Sequence, residues 1–547
     1  MGVIKKRAVI LSSCLACLYG LNVVFFSPLL LAADCKPWTL PQNQEQSPLL
    51  GNIIIEIKDV FDTTDENENS WFHRSTNYFH YKTRKSVIEN QLLFKTGDSY
   101  SPELVTETER LLRANRYIKS ARIFPTRICD DKVELQVDTT DSWTLTPGLS
   151  FGRSGGVNHS AISVEEHNLF GYGTEIEFET SKGSERSQDI LTYRDNNLLG
   201  DRYTFNANYQ DNSDGRAYGF STGLPFFQFA SQYAWNVSAS STIGENALYE
   251  GGKVTSYVGR EDHQFSSYYA WAVSETKNSV NRYRIGWSFL DSKTFEVLNH
   301  PASDLPEDAV YSSPYVGWQY HRQNYIVKNN LFGVAVIEDV SIGYNADIQL
   351  GWINEAWGAT QDFLSLKATY SRGYQSDTNQ LALWDLNISG LFGNGTNKDV
   401  TIRARGDWFI FHNNQSRLHV HGIIEAGNEL SSDQQLTIGG DSGLLGYPLK
   451  YQSGDRKFLF SLEDRYLFDW YPLHLLKTGA SVFANIGAAW DSATETRHTL
   501  RDVGFGLLIA STRQSTMKIG HLYFAFPLDD NDLVDGFQIV IGAESKF

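Results

Sequence analysis

Residues 203–210 read YTFNANYQ, residues 401–408 read TIRARGDW, and residues 416–427 read SRLHVHGIIEAG. In each stretch the side chains at nearly every second position are apolar, and those between them are mostly polar or charged. Successive side chains of a β-strand point to opposite faces of a sheet, so this alternation predicts strands with one apolar face and one polar face. From about residue 142 onward, segments of about ten residues repeat the pattern between turns rich in Gly, Asn, Asp and Ser.

Composition excludes several classes of protein. The chain has 547 residues, a formal net charge of −17, 13% aromatic residues and only two methionines. A mean hydropathy of −0.34 excludes a bundle of membrane helices. The acidic balance disfavours nucleic acid as a partner, because neutralising phosphates requires a basic face. These values suit a protein that is mainly β, with many aromatic strand positions.

The N-terminus has the pattern of an export signal. Three basic residues at positions 5–7 precede a long uncharged apolar run, and Ala32-Ala33 forms a small-residue cleavage site. We therefore expect residues 1–33 to be a signal peptide; a single membrane anchor is the alternative, since the run is long enough to span. Residues 34–50 would then form an N-terminal segment of the mature chain.

Two cysteines would remain in the mature chain after cleavage. Cys35 and Cys129 are a single pair in an exported protein, which predicts one disulfide. Two unpaired thiols are the alternative.

Residues 51–139 mix two periodicities. Ile53, Ile55 and Ile57 alternate as on a strand, and Ser101-Pro102-Glu103 has the pattern of a helix start. Two further alternating runs follow. The order of strand, helix, helix, strand and strand predicts one small α+β domain.

Residues 140–547 are predicted to form an antiparallel transmembrane β-barrel. An export signal followed by about 400 residues of such strands is typical of outer-membrane barrels, because only helices and closed sheets satisfy their backbone hydrogen bonds in lipid. The chain ends on a strand whose outer face would carry Phe537, Ile539, Ile541 and Phe547, which resembles the targeting strand of bacterial barrels. A secreted sandwich or propeller also alternates and is the alternative.

Several motifs resemble the outer-membrane protein 85 superfamily, which includes BamA-like and TamA-like surface-antigen barrels. They are the turn Gly97-Asp98-Ser99-Tyr100, the helix end Leu111-Leu112-Arg113 and the segment Asn168-Leu169-Phe170-Gly171. The resemblance implies a single POTRA-like (polypeptide-transport-associated) domain over residues 51–139 in the periplasm. It also implies a barrel of about sixteen strands, an outer-membrane location with lipid around a monomeric barrel, and a periplasmic or nascent polypeptide as the client. The alternating segments from residue 142 onward number roughly twenty, so the alternative is a larger barrel in which none of them is a loop hairpin.

Two family motifs are altered in this chain. The family's inward-folded sixth extracellular loop carries V-R-G-[FY], and the matching residues are Gly443, Leu444, Leu445, Gly446 and Tyr447. The family's wall strand carries [FG]-x-D-x-G, and the matching residues are Phe483, Asn485 and Gly487. The family Arg and Asp, understood to interact, are thus Leu445 and Asn485, so we expect the loop to pack inward without an ion pair. An alignment shifted by one strand is the alternative.

Polar residues of the predicted wall are expected to line a wet lumen. They are Arg403, Arg405, Asp407, His419, His421 and Glu425. Two histidines without a third ligand are a weak metal signal, so we expect no metal and no other cofactor. Residues 152–156 read GRSGG, which fits G-x-S-x-G, but a predicted hairpin is not the strand-to-helix elbow that this motif needs. We therefore expect no enzyme.

The sequence thus predicts a barrel that assists insertion or translocation of polypeptides at the bacterial outer membrane. The alternative is a pore or surface-structure barrel that keeps only the fold, which the missing Arg and Asp favour.

Overall fold

The computed structural model describes residues 35–38, 47–298, 300–334, 337–377, 379–494, 497–513, 519–529, 534 and 536–544. The predicted signal peptide and Phe547 lie outside these residues. No helix among them is long and apolar enough to cross a membrane.

The N-terminal part is an α+β domain with a four-stranded sheet in the order β1-β3-β4-β2. Strands β2 and β4 are parallel, and the other two pairs are antiparallel. Its elements are β1 (Cys35–Pro37), β2 (Leu49–Lys58), α1 (Trp71–Phe79), α2 (Lys85–Glu89), α3 (Pro102–Arg113), β3 (Ile118–Cys129) and β4 (Lys132–Asp141).

The longest helix, α3, begins as its sequence predicts. The Ser101 side chain accepts a hydrogen bond from the Leu104 amide (3.3 Å), and Pro102 occupies the first turn, where no amide donor is required. Its apolar face packs on the sheet, where Leu112 and Val133 are completely buried. A disulfide joins Cys35 to Cys129, so β1 is tied covalently to the end of β3.

The C-terminal part is a closed barrel of twenty antiparallel strands. The first ten are β5 (Leu145–Ser154), β6 (Val157–Glu166), β7 (Thr174–Lys182), β8 (Ser187–Leu198), β9 (Tyr203–Asn212), β10 (Gly215–Leu224), β11 (Tyr233–Glu250), β12 (Lys253–Glu275), β13 (Ser279–Glu296) and β14 (Ala309–Arg322). Two hairpins outside the barrel wall are β15 (Tyr325–Asn329) with β16 (Ile337–Ser341) and β22 (Leu436–Ile438) with β23 (Gln452–Gly454). The other wall strands are β17 (Tyr344–Ile353), β18 (Phe363–Asp377), β19 (Gln380–Phe392), β20 (Asn397–Phe411), β21 (Ser416–Asn428), β24 (Arg456–Leu467), β25 (Leu476–Trp490), β26 (Leu500–Ser511), β27 (Ile519–Pro527) and β28 (Gln538–Glu544).

The expectation of about sixteen strands is therefore wrong, because every alternating segment joins the same closed sheet. The connection that contains the inward-loop motif follows the fifteenth wall strand, and five wall strands come after it. It is the eighth connection at its end of the barrel rather than the sixth.

The barrel wall is apolar on the outside. Leu149, Val316 and Val482 keep 85%, 57% and 58% of their surface exposed although they lie in the middle of paired strands. On neighbouring positions the side chains turn inward and are polar or buried. We call the end next to the α+β domain the lower mouth, and the opposite end the upper mouth.

Candidate functional site

The upper mouth is filled by the connection between β21 and β24, residues 429–455, which we call the inward loop. It crosses to the opposite wall, where Arg260 donates to Asp433 (2.8 Å). The Ser453 hydroxyl donates to the Tyr249 carbonyl (2.8 Å), and Lys450 pairs with Glu185. The loop is thus fixed on two sides of the lumen.

The tip of the inward loop is held by a single carboxylate. The Gly446 amide donates to Asp502 Oδ2 (2.7 Å), and Asn485 Nδ2 donates to Asp502 Oδ1 (2.7 Å). Asp502 is 1% exposed. A Cβ on Gly446 would lie 2.9 Å from the Pro527 nitrogen, so only glycine lets the loop backbone approach the wall this closely.

The neighbouring loop residues fill the space around the hydrogen bond between Gly446 and Asp502. Tyr447 is completely buried, and its hydroxyl donates to Asp529 Oδ2 (2.6 Å). This desolvation, together with the Asp529 carboxylate, raises the pKa of Tyr447. Leu444 is completely buried as well, and Leu445 packs on the cluster that contains Phe483.

The structure brings the two altered motifs together without an ion pair between them. Asn485 does not contact a loop side chain in place of the family Arg; it holds Asp502, which binds the loop backbone. Phe483, Asn485 and Gly487 share the inner face of β25. Asp502 was missed by sequence reasoning. Its signal is the strand register, in which Asn485 and Asp502 are direct partners.

The lower half of the lumen is crossed by the hairpin β15–β16, residues 323–343, which we call the lower hairpin. Leu331 is completely buried against Leu381 and Phe409 of one wall. Val334, at its tip, packs in the cluster on β24 to β28 that includes Leu467 and Tyr523. The hairpin therefore reaches from its attachment at β14 and β17 to wall strands six to ten positions further round the barrel.

The α+β domain sits across the lower mouth. It contacts turns on both sides of the opening and also the lower hairpin, whose Asp339 accepts two hydrogen bonds from Arg113 (2.8 and 2.9 Å). Other polar contacts include Arg84 with Gly171 and Phe170, Leu92 with Arg202, Glu107 with Phe229, Glu103 with Lys277, His73 with Leu473, and Glu68 with Arg513.

One lysine at this junction has a perturbed proton affinity. Burial and the nearby Arg513 guanidinium lower the pKa of Lys119 to about 8, and Glu68 opposes the shift. On the exposed flank of the junction, the ammonium of Lys277 lowers the pKa of Glu103. Charged side chains therefore lie at both the buried and the exposed parts of this contact surface.

The two outer edges of the α+β sheet differ. The edge of β3 is closed: β1 pairs with its last three residues, Glu109 accepts from the Ile123 amide (2.6 Å), and Arg113 donates to the Ala121 carbonyl (3.3 Å). The outer edge of β2 is covered only at residues 48–51, by residues 96–100. Within the described residues, its backbone from Ile53 to Lys58 bonds only to β4.

The predicted polar residues of the lumen form two clusters. Arg403 and Lys457 both pair with Glu425 (3.1 and 3.2 Å). Asp407 accepts hydrogen bonds through Oδ1 from His419 Nε2 and His421 Nδ1, both at 2.8 Å. Arg405 donates to the other oxygen of Asp407 (3.0 Å).

The barrel closes between β28 and β5, and this seam is short. Among the described residues the seam has one register pair, Ile541 with Arg153, whereas β5 and β6 pair along their whole length. Phe537 is 51% exposed. Val540 is buried, so Ile539 and Ile541 point outward. The residues of the G-x-S-x-G match lie at the β5–β6 turn, which has no helix elbow.

Comparisons with known proteins found no matching family model and no curated protein of similar sequence. Solved structures with a similar fold include BamA from Haemophilus ducreyi lacking POTRA domains 1–3 (TM-score 0.39, 11% identity, 93% of this chain and 89% of that chain). CdiB from Acinetobacter baumannii gives a TM-score of 0.46 at 13% identity over 91% of this chain and 73% of that chain. CdiB from Escherichia coli gives a TM-score of 0.48 at 11% identity over 90% and 76%. At these values no functional conclusion is drawn from the likeness.

Proposed function

We propose that this chain is an outer-membrane barrel that assists the insertion or translocation of polypeptides, with the α+β domain in the periplasm. The observation that carries the proposal is the α+β domain seated across the lower mouth of a barrel whose lumen is blocked by its own segments. A passive pore gains nothing from a folded domain over its entrance. The apolar outer wall fits lipid as the surrounding medium.

The client would be an extended polypeptide added to the sheet at β2. An exposed strand edge offers a row of unpaired amides and carbonyls, which an incoming strand can satisfy. The segment from Ile53 to Lys58 is such an edge, and three isoleucines of it alternate with Ile54 and Glu56. The edge of β3 is closed by the chain itself.

Passage from the lower mouth would require two segments to move. The α+β domain is held to the lower hairpin by Arg113 and Asp339, so this contact would have to break for the two segments to separate. Among the described residues, the seam between β28 and β5 is the part of the wall with the fewest paired residues, and it would offer a lateral exit into lipid.

The test combines genetics with site-specific photocrosslinking in cells. A photoreactive residue replaces Ile54 on the β2 edge; the matched control replaces Arg122, which is exposed on the same sheet face but lies on the closed strand β3. We expect a polypeptide adduct from Ile54 and little from Arg122. We also expect a deletion strain to lose one or a few outer-membrane or secreted proteins, the adduct among them.

A contrary result would be an unchanged outer-membrane and medium proteome with no adduct at Ile54. Ion conduction by the purified protein in planar bilayers would then establish the alternative, a non-translocating barrel that keeps only the fold.

A further inference from the structure

Three side chains with metal-binding atoms meet on the inner wall, outside the segments that block the lumen. The ligand atoms of Asp407, His419 and His421 all lie within 4.8 Å of one another. Asp407 is 4% exposed and His419 is 7% exposed. We propose that these residues form a binding site for a divalent first-row transition metal of the Zn²⁺ type.

The strand register builds this site. Asp407 of β20 and His421 of β21 are direct partners, and His419 lies two residues along on the same face. Neighbouring strands fix the three Cβ positions, so the ligands are arranged before any ion binds. The sequence expectation of no metal counted only the two histidines; the third ligand comes from the adjacent strand.

The present distances fit ion binding after a small expansion. Both imidazole nitrogens lie 2.8 Å from the same oxygen of Asp407. Ligands at about 2.0–2.1 Å from a tetrahedral ion are about 3.3 Å apart, so each nitrogen–oxygen distance would lengthen by about 0.5 Å as the ion replaces the two hydrogen-bonding protons. The two nitrogens already lie within 4.8 Å of each other. Nitrogen and carboxylate ligands suit Zn²⁺, Co²⁺ or Ni²⁺ rather than Mg²⁺ or Ca²⁺.

Neighbouring groups hold the ligands in place. Arg405 donates to Asp407 Oδ2 (3.0 Å), which fixes the carboxylate and leaves Oδ1 toward the imidazoles. The His419 ring stacks on Phe409 with centroids 4.3 Å apart. Partners of this kind set ligand orientation in metal sites. Three protein ligands leave a fourth position for water.

The site can be reached from the lumen. A cavity of about 570 Å³ lies between the lower hairpin and the wall, and Asp407 and Arg405 line it. The His421 side chain keeps 14% of its surface exposed. An ion can therefore enter without unfolding of the wall.

The test uses the full mature chain, purified in detergent without a polyhistidine tag, stripped with a chelator and titrated calorimetrically with ZnCl₂. We expect one bound Zn²⁺ per chain, and bound Co²⁺ should show the absorption bands of a tetrahedral site. Asp407→Asn and His421→Ala each remove or weaken a ligand, so each should lower the Zn²⁺ affinity by more than the roughly 10–100-fold that is typical when a group hydrogen-bonded to a ligand is lost. The control is His263→Ala, which removes a histidine of β12 that pairs with Glu261 (3.2 Å).

Circular dichroism of each variant identifies those that fold. His421 is the most exposed of the three ligands, so its variant is the one that we expect to fold without change. The proposal is overturned if the stripped wild-type chain binds no stoichiometric Zn²⁺, or if folded His421→Ala binds Zn²⁺ as tightly as His263→Ala does.

Discussion

Exchanging Asn485 and Asp502 tests how the inward loop is held. In the wild-type chain one carboxylate accepts from Gly446 and from Asn485. The single change Asn485→Asp places a second carboxylate against the first. The single change Asp502→Asn leaves one oxygen for two donors. In the double variant, the new amide at 502 donates to the carboxylate at 485 and its oxygen still accepts from Gly446, so every group is paired again.

The magnitudes separate these variants. Asn485→Asp loses a hydrogen bond to a charged group, about 1.5–3 kcal/mol. It also adds repulsion of about 4 kcal/mol for charges 4 Å apart at an effective dielectric constant near 20. Asp502→Asn leaves one buried donor unsatisfied, about 1–3 kcal/mol. We expect the unfolding free energy of the double variant to lie within about 2 kcal/mol of the wild-type value. The interaction energy between residues 485 and 502 would then be at the upper end of what contacting residues show.

The assay is equilibrium unfolding by urea in lipid vesicles, followed by tryptophan fluorescence, with protease nicking of the inward loop as a local measure. Asn485→Leu is the matched control, because it removes the hydrogen bond without adding a charge and should cost less than Asn485→Asp. If the losses of the two single variants simply add in the double variant, Asn485 and Asp502 do not act as a pair and this account of the loop is wrong.

Three further outcomes can be measured. Lys119 releases its proton near pH 8 in the folded chain but only above pH 10 when unfolded. The unfolding free energy should therefore rise with pH across that interval, by at most about 1.4 kcal/mol per pH unit. Lys119→Met should abolish this rise, and an unchanged rise in that variant contradicts the assignment. A thiol assay on unreduced, denatured mature chain should find no free thiol at Cys35 or Cys129, and two reactive thiols would contradict the disulfide. Leu445→Arg should lower the unfolding free energy of the wild-type chain but recover part of the unfolding free energy that Asn485→Asp loses, because the guanidinium would lie beside both carboxylates. If the losses of Leu445→Arg and Asn485→Asp add in the double variant, residue 445 lies away from this site.

The sequence predicts those features that depend on local periodicity. Alternation along single strands, as in residues 203–210, predicts the strands of the barrel. The helix-capping residue Ser101 predicts the start of α3. The sequence does not predict features that depend on which residues face each other across neighbouring strands. Asp502 and the meeting of Asp407 with His421 appear only once the register is known. The strand total was underestimated because the family resemblance was preferred over the alternation itself.

The tip of the inward loop and the outer flank of the α+β domain differ in their exposure to water, and this difference assigns them different parts in the proposed cycle. The loop tip at the upper mouth is held by buried hydrogen bonds around Asp502, which water and salt do not reach. At the lower mouth the Glu103–Lys277 pair is largely exposed, whereas the Arg113–Asp339 and Glu68–Arg513 pairs are mostly buried. Exposed pairs contribute only about 0–1 kcal/mol each and are screened by salt. The flank of the α+β domain at Glu103 is therefore the contact that we expect salt to weaken before the tip of the inward loop, and it lies on the side from which a periplasmic client would arrive.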